Sequence, residues 1–558
     1  MRDLLVSILS AAIERARAAG KLKSAASQIT IEAPHDPSHG DAASNVALTM
    51  ARAEGKAPRA IAAIIREHMQ LAPEIQEAAV AGPGFINFRM APAYWHSEMR
   101  RAAREGAGFF RPLRWELRPG AGKRVQVEFL SANPTGPLTV GHGRNAVLGD
   151  TIARLFESAG FDVTREFYFN DGGRQMKLLG ESVRVRYLEE LGRPAAMPEE
   201  AYQGEYIREI ARGLRAAHGD GLADSPGLDV FRSAAVRAIF ADINHTCERL
   251  GIRFDVYTNE IDLIRSGKVD EVLSALRARD LLVEKEGAIW LRGEPIGLPK
   301  DEVLVRSGPD AEPTYRTPDI AYHIDKLRRG FDLVIDVFGA DHIAEHQQVV
   351  AAVRALGHDT SAIHAIIYQF VTLTRGGEKV KMSTRKATYV TLDELIDEVG
   401  ADVVRFFFLF RKSDSHLDFD LELAKRQAPE NPVFYVQYAH ARLASVFREA
   451  EKAGLTLPAD EASINLEMLG AEEVELAKRA VGLPAVMTAA AQALEPHRIP
   501  FYLLELAGDF HRYYNKPTNR IIGTDRDLSV ARLFLAGLLK TAIAAGLGLL
   551  GVSAPDRM

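Results

Sequence analysis

The chain has 558 residues, 47% hydrophobic and 26% charged, which excludes a disordered protein and leaves room for about three or four globular domains. Its single cysteine, Cys247, excludes an intrachain disulfide and a Cys-rich metal site, and it fits a reducing compartment, so a cytoplasmic location is expected. A formal net charge of −6 gives no global attraction to nucleic acid; a binding face for one has to be a local basic patch.

In chain order, the opening MRDLLVSILSAAIERARAAG sets Leu4, Leu5, Ile8, Leu9 and Ile13 in a stripe interrupted by charges such as Asp3 and Glu14, and predicts an amphipathic helix rather than a signal peptide. Residues 1–113 mix helix-like stretches with GPGFINFRM, an N-terminal α+β domain, and the Pro/Gly-rich LRPGAGK marks its boundary. RVQVEFL then alternates Val125, Val127 and Phe129 against Gln126 and Glu128, as a strand does. Leu148, Ile152, Leu155 and Phe156 follow at helical spacing with Gly160 as the stop, and FDVTREFYFN alternates again. This is a βαβ unit whose first loop lies at the carboxyl end of its first strand. FDLVIDVF, AEHQQVVAAVRALG and AIHAIIYQFV repeat the pattern, so the fold class expected is α/β, a doubly wound, Rossmann-like parallel sheet over 120–394. Its first half is 120–172, an insertion takes about 173–300, and the second half is 301–394. From 395 to 558 the periodicity predicts an all-α domain, in which LFLAGLLKTAIAAGLGLLGV, interrupted by Lys540, reads as a buried helix and not a membrane span.

Two segments carry chemistry. In SANPTGPLTVGHGR, Gly141 and Gly143 let a ligand approach the backbone, the following helix offers unpaired N–H groups to an anion, and His142 adds a donor for a charged transition state. Alone, this loop is equally a turn with a capping histidine. In RGGEKVKMSTRKATYV, Gly376 and Gly377 precede Lys379, Lys381, Ser383, Thr384, Arg385 and Lys386, cations able to close over pyrophosphate as it leaves. Alone, that run reads better as a solvated basic hairpin.

As a pair in this order, the two segments resemble the HIGH and KMSKS signatures of class I aminoacyl-tRNA synthetases. VEFLSANPTGPLTVGHGR, REFYFNDGGRQ, GADH, EKVKMSTRKA, NPVFYVQYAHAR, FHRYYNK and GVSAPDRM together resemble arginyl-tRNA synthetases of bacterial type, over nearly the whole chain. The resemblance implies activation of L-arginine with ATP to arginyl-adenylate and transfer to the 3′-terminal adenosine of tRNA(Arg), with tRNA needed for activation. It implies catalytic roles for Gly141, His142 and Lys381, and ATP contacts from these together with Pro134, Thr139, Gly143, Met382, Ser383 and Arg385. For arginine it implies Glu128 and Asn133 at the α-amino and α-carboxyl groups, Tyr315 and Asp319 at the guanidinium, and Ser131 and His342 in the pocket. Unaided, Asp319 reads as a first-turn acid after a Thr317 cap and Pro318, Glu128 as an exposed strand residue, and Asn133 as a turn former.

The resemblance makes residues 1–113 a tRNA-contacting domain, with Phe85 and Asn87 placed to stack on and hydrogen-bond a splayed base, although Phe85 also fits a core strand. It makes 395–558 an anticodon-binding domain, with Gln437, Tyr438, Tyr513 and Tyr514 as RNA candidates and His440 within the packed stripe. Mg²⁺ is expected to arrive with ATP, with no protein-bound metal, no membrane contact and a monomeric enzyme. One departure stands out: Thr139 takes the place of the signature's first histidine, and His142 keeps the second.

Overall fold

The computed structural model describes residues 1–26, 28–32, 34, 36–112, 123–225, 227–308, 312–380 and 390–558. The chain forms two compact units. The first joins Met1–Phe109 to Glu449–Val481 and Arg520–Leu539; the second holds Phe110–Arg448, Gly482–Asn519 and Lys540–Met558.

In the first unit the helix Arg2–Ala18 buries Leu5, Leu9, Ala12, Ile13 and Ala16, the face expected from the sequence. It packs with helices Val46–Glu54 and Pro58–Glu67 and an antiparallel sheet of β1 (Ala42–Ser44), β2 (Ile75–Ala81) and β3 (Phe85–Met90), in the order β1-β3-β2. Gly84, at φ +145°, tolerates no side chain, since a Cβ would come within 2.7 Å of the Pro58 carbonyl carbon. Later segments complete this unit. Arg100 donates to the carbonyls of Glu461 and Ile464, and Lys478 donates to Asp41 at 2.7 Å.

The second unit is built on a five-stranded, all-parallel sheet. β4 (Arg124–Glu128), β5 (Asp162–Phe169) and β6 (Val256–Asn259) run in sequence toward one edge. A small antiparallel sheet follows, made of β7 (Leu282–Lys285), β8 (Ala288–Leu291) and β9 (Glu302–Val305). β10 (Leu333–Gly339) then returns beside β4, and β11 (Ile363–Tyr368) pairs outside β10, giving the order β11-β10-β4-β5-β6. Strand order therefore reverses between β10 and β4, and in such sheets ligands bind beyond the carboxyl ends at that point. Four of these strands are the ones expected; β6 comes from the stretch read as insertion. A third sheet of β12 (Val371–Arg375), β13 (Glu378–Lys379) and β14 (Leu417–Asp420) places one strand inside the stretch read as helical from 395.

The helix Val140–Ser158 joins β4 to β5 and buries Leu148, Ile152, Leu155 and Phe156. Gly160, at φ +86°, follows its end. Gly149 has a packing reason: a Cβ there would meet Phe129 at 2.2 Å. Asp150 on this helix pairs at 2.7 Å with the fully buried Arg405, which also donates to the carbonyls of Leu250 and Leu550. Of the C-terminal helices, Arg526–Leu549 is long and apolar enough to cross a membrane; 61% of its most apolar stretch is buried within the protein, as expected of a core helix.

Candidate active site

The chain leaves β4 under strain. Leu130 and Ser131 are consecutive non-glycine residues at φ 67° and 43°, a left-handed conformation that costs on the order of 1 kcal/mol each and persists only where surroundings hold it. Here the Leu130 N–H donates to Asn145 Oδ1 at 2.7 Å, while Asn145 Nδ2 donates to the Val337 carbonyl at 2.9 Å, so one side chain ties the loop to β10. Ser131 Oγ donates to Glu128 at 2.9 Å and accepts from the Tyr168 N–H at 3.2 Å. Asn133 accepts from the Asn170 N–H at 3.1 Å and donates to Gln175 at 3.2 Å, and Pro134 is buried. Tyr206, from the insertion, donates to the Thr135 carbonyl at 2.6 Å.

At the helix start Thr139 is the N-cap, and its backbone N–H donates to His142 Nδ1 at 3.1 Å. Nδ1 is therefore the unprotonated nitrogen, and Nε2 carries the hydrogen. Burial lowers the His142 pKa to about 4, so the ring is a neutral donor at pH 7. The Thr139 hydroxyl lies 3.3 Å from the same Nδ1, against the imidazole. The two signature glycines differ. A Cβ on Gly141 would meet only Thr139 Oγ1, at 3.8 Å, so the first helical turn is open there. A Cβ on Gly143 would meet Leu392 at 2.6 Å and Phe408 at 2.9 Å, so this glycine serves close packing. Gly143→Ala is accordingly expected to lower stability by about 1–3 kcal/mol through overpacking, and Gly141→Ala to lower it by less; denaturant midpoints of the two variants check this.

Arg144, overlooked in the sequence, is fully buried and donates to the carbonyls of Gln369, Lys412 and Ser415 at 2.6–3.0 Å, tying the helix start to the ends of β11 and β14. Lys381, Met382, Ser383 and Arg385, with Thr384 and Lys386, lie outside the described residues. Their flanks are anchored. The Val380 N–H donates to the Leu373 carbonyl at 2.9 Å, the Leu392 N–H to the Leu138 carbonyl at 2.8 Å, and Thr391 forms a bridge with Thr139.

The arginine candidates lie along β4, β10 and the helix Arg316–Arg328. Tyr315 is that helix's N-cap and is exposed, with the Arg316 guanidinium 4.8 Å from its ring centre. Thr317 is not the cap: it is buried and donates to the Leu304 carbonyl at 2.7 Å. Nor is Asp319 a plain first-turn acid, because its carboxylate turns to His323 Nδ1 at 2.9 Å. Beside it, Glu260 accepts from Tyr168 at 2.8 Å and Asn170 at 2.6 Å, and burial, with the charges of Asp319 and Asp171 nearby, pushes it up to about 7. Asp171 Oδ1 is buried without a partner. This end of the site is short of positive charge.

Glu128, read from the sequence as an exposed strand residue, is instead buried. Both faces of β4 are covered, and its polar face is a hydrogen-bond network: Gln126 donates to Glu166 at 2.9 Å, and Lys326 donates to Glu128 at 2.5 Å and to Asp336 at 2.6 Å. His342, in the turn after β10, is exposed, and its Nδ1 lies 3.1 Å from Glu345, which raises its pKa. Ligand atoms of His323, Asp336 and His346 lie within 4.8 Å of one another. The Lys326 ammonium already on Asp336 makes that cluster a poor host for Mg²⁺.

The RNA candidates divide. Phe85 and Asn87 share one face of β3, opposite the core residues Ile86 and Phe88; Phe85 is half-buried and Asn87 buried. Tyr438 is exposed, stacked near His511 and Phe434, with the Arg442 guanidinium 4.9 Å from its ring centre. Gln437 is buried, its amide donating to Asp402 at 2.9 Å and the Ser553 carbonyl at 3.0 Å, so it braces the C-terminal tail. Tyr513 is buried, while its neighbour Tyr514 is half-exposed. His440 is buried too, its Nδ1 2.9 Å from the Pro555 carbonyl.

A parallel sheet whose switch point carries a glycine- and histidine-bearing helix start is the scaffold of a class I aminoacyl-tRNA synthetase, and the family described as tRNA synthetases class I (R), catalytic domain, matches residues 114–406. The arginyl tRNA synthetase N terminal domain matches 3–90, and the DALR anticodon binding domain matches 436–558. The chain belongs to the arginyl-tRNA synthetase family. It is 48% identical to the arginine–tRNA ligase of Desulfotalea psychrophila, over 96% of this chain and 95% of the relative, and 47% identical to that of Salinibacter ruber, over 95% and 96%. The structure of Thermus thermophilus arginyl-tRNA synthetase has the same fold, with a TM-score of 0.75 at 24% identity over the whole of both chains.

Proposed function

We propose that this arginine–tRNA ligase activates L-arginine with ATP beyond the carboxyl ends of β4 and β10 and passes the arginyl group to the 3′-terminal adenosine of tRNA(Arg). The observation that carries the siting is the acidic end of the pocket. Asp319, Glu260 and Asp171 lie close enough for their charges to raise the Glu260 pKa, and a guanidinium supplies the missing cation. Asp319 and Tyr315 take that group, Glu128 the α-amino group and Asn133 the α-carboxyl group, with Ser131 orienting Glu128 and His342 at the rim.

ATP phosphates lie on the open first turn at Gly141, against His142 Nε2–H, with Pro134, Thr139 and Gly143 shaping the loop. Lys381, with Met382, Ser383 and Arg385, supplies cations to the departing pyrophosphate. Mg²⁺ comes as the counter-ion of ATP. Phe85 and Asn87 contact the tRNA corner, and Tyr438 stacks near the anticodon beside Arg442. Gln437 and Tyr513 leave the set of direct contacts, Gln437 because its amide is taken up by Asp402 and the Ser553 carbonyl, and Tyr513 because it is almost fully buried. The enzyme works as a cytoplasmic monomer without a membrane.

Amino-acid-dependent pyrophosphate exchange tests the reading. With tRNA present, arginine alone among the amino acids supports strong exchange, and without tRNA exchange falls to background. Strong exchange with another amino acid overturns the reading.

A further inference from the structure

Five charged side chains alternate in sign through the interior beneath the arginine pocket. Asp319 lies 2.9 Å from His323 Nδ1; His323 Nε2 lies 3.1 Å from Asp336 Oδ2; Asp336 Oδ1 lies 2.6 Å from Lys326 Nζ; and that ammonium lies 2.5 Å from Glu128 Oε2. The three central members are fully buried, on adjacent elements: His323 and Lys326 on the Arg316–Arg328 helix, Asp336 on β10 directly beside Glu128 on β4. The ends are the two carboxylates assigned above to the substrate's two cationic groups.

Buried ion pairs are weak contributors to net stability, since the cost of removing charges from water nearly cancels their attraction. Four in series, ending on two ligand carboxylates, call for a use. We infer that His323, Asp336 and Lys326 are positioning residues that hold Asp319 and Glu128 aimed and electrically coupled, so that the pocket reads both charged ends of arginine together; this rests on the assignment of those two carboxylates to arginine.

Each link has a chemical task. His323 Nδ1 lies 2.9 Å from both the Asp319 carbonyl and the Asp319 carboxylate, and its Nε2 bonds Asp336; with a carboxylate near each nitrogen the ring is pushed up to about 10 and stays a cation at neutral pH. Asp336, between His323 and Lys326, is held well below the usual carboxylate range. Glu128 has one cationic partner, and burial still raises its pKa above the ordinary value. The charged groups facing Glu128 are Lys326, Asp336 and Asp319, with Glu166 on the next strand paired to Arg329 at the end of the Arg316–Arg328 helix; burial lowers the His346 pKa and favours its neutral form. Lys326 is thus what keeps Glu128 able to receive an α-ammonium group.

The test is steady-state aminoacylation of tRNA(Arg) by the full chain, with arginine varied at about pH 6.5 and about pH 8.5. Wild type gives an arginine KM that changes little between the two. In Lys326→Gln the proton stays on Glu128 through neutral pH, so the arginine KM rises by about tenfold or more at the lower pH and recovers most of the way at the higher one, a factor of ten corresponding to one pKa unit. The KM for ATP changes less than about twofold in the same variant. An arginine KM that is unchanged, or raised equally at both pH values, overturns the relay. Melting curves establish whether Lys326→Gln folds. Should it not, His323→Gln carries the test: an arginine KM raised by about fivefold or more with that for ATP unchanged supports the relay, and any other result overturns it. Asp319→Asn separates the two claims. If it leaves arginine use intact, the pocket assignment itself fails; if it impairs arginine use while Lys326→Gln shows no pH-dependent KM, only the relay fails.

Discussion

His142→Ala slows arginyl-adenylate formation by about 3 kcal/mol, roughly two orders of magnitude, the scale for removing one preorganised donor from a transition-state site. The Thr139 N–H occupies Nδ1, and the low pKa of the ring keeps it neutral, so Nε2–H is the donor left to face an incoming phosphate. Because the ring titrates near pH 4, its contribution stays constant across pH 6 to 8. Thr139→Ala costs less than about 1.5 kcal/mol, since alanine keeps the backbone N–H that fixes the imidazole and only a neutral hydroxyl is removed. Thr139→His is tolerated on the same ground. Single-turnover adenylate formation with tRNA and saturating ATP measures all three; a loss with Thr139→Ala as large as with His142→Ala contradicts the division of labour.

Asp319→Asn weakens arginine use by at least about 2 kcal/mol, the scale for losing one partner of a desolvated charge pair, and leaves ATP binding nearly unchanged. Asparagine keeps the shape of the group while removing its charge. The carboxylate that His323 orients can then no longer accept parallel hydrogen bonds from a guanidinium as an anion. Arginine KM, with the ATP KM as control, reads the effect. An unchanged arginine KM shows that Asp319 serves only the helix and His323.

Much of this was legible in the sequence, and the exceptions have physical causes. β4, β5, β10 and β11 announced themselves by alternation or apolar runs, whereas β6 is four residues, Val256–Asn259, at a sheet edge with polar members, too short to show a period. The alternation of β4 was real but did not mean an exposed face: Gln126 and Glu128 are buried because helices cover both sides of a parallel sheet. Gln437 and Tyr513 resemble surface residues of an amphipathic helix, and only tertiary packing, including the tail at Ser553, reveals that their faces are covered. His323 and Lys326 did carry a signal. Their spacing from Asp319, i+4 and i+7, places all three on one helix face, where two cations of unexplained purpose in a mostly buried helix asked for acidic partners.

Glycine handling shows the same division. Gly141 and Gly143 look interchangeable as signature glycines, yet only Gly141 has open space beside it, while Gly143 lets Leu392 and Phe408 approach. The sequence cannot distinguish a glycine kept for a ligand from one kept for a neighbouring side chain.

A signature with threonine in place of its first histidine is expected to support activation, because the backbone of Thr139 already sets the tautomer of His142. Single-turnover formation of arginyl-adenylate by the wild-type chain, with tRNA(Arg), ATP and Mg²⁺ present, tests it most directly. Wild type is expected to give a prompt burst of adenylate and Thr139→His a similar one; no adenylate from wild type, with activity appearing in Thr139→His, would contradict this role of Thr139.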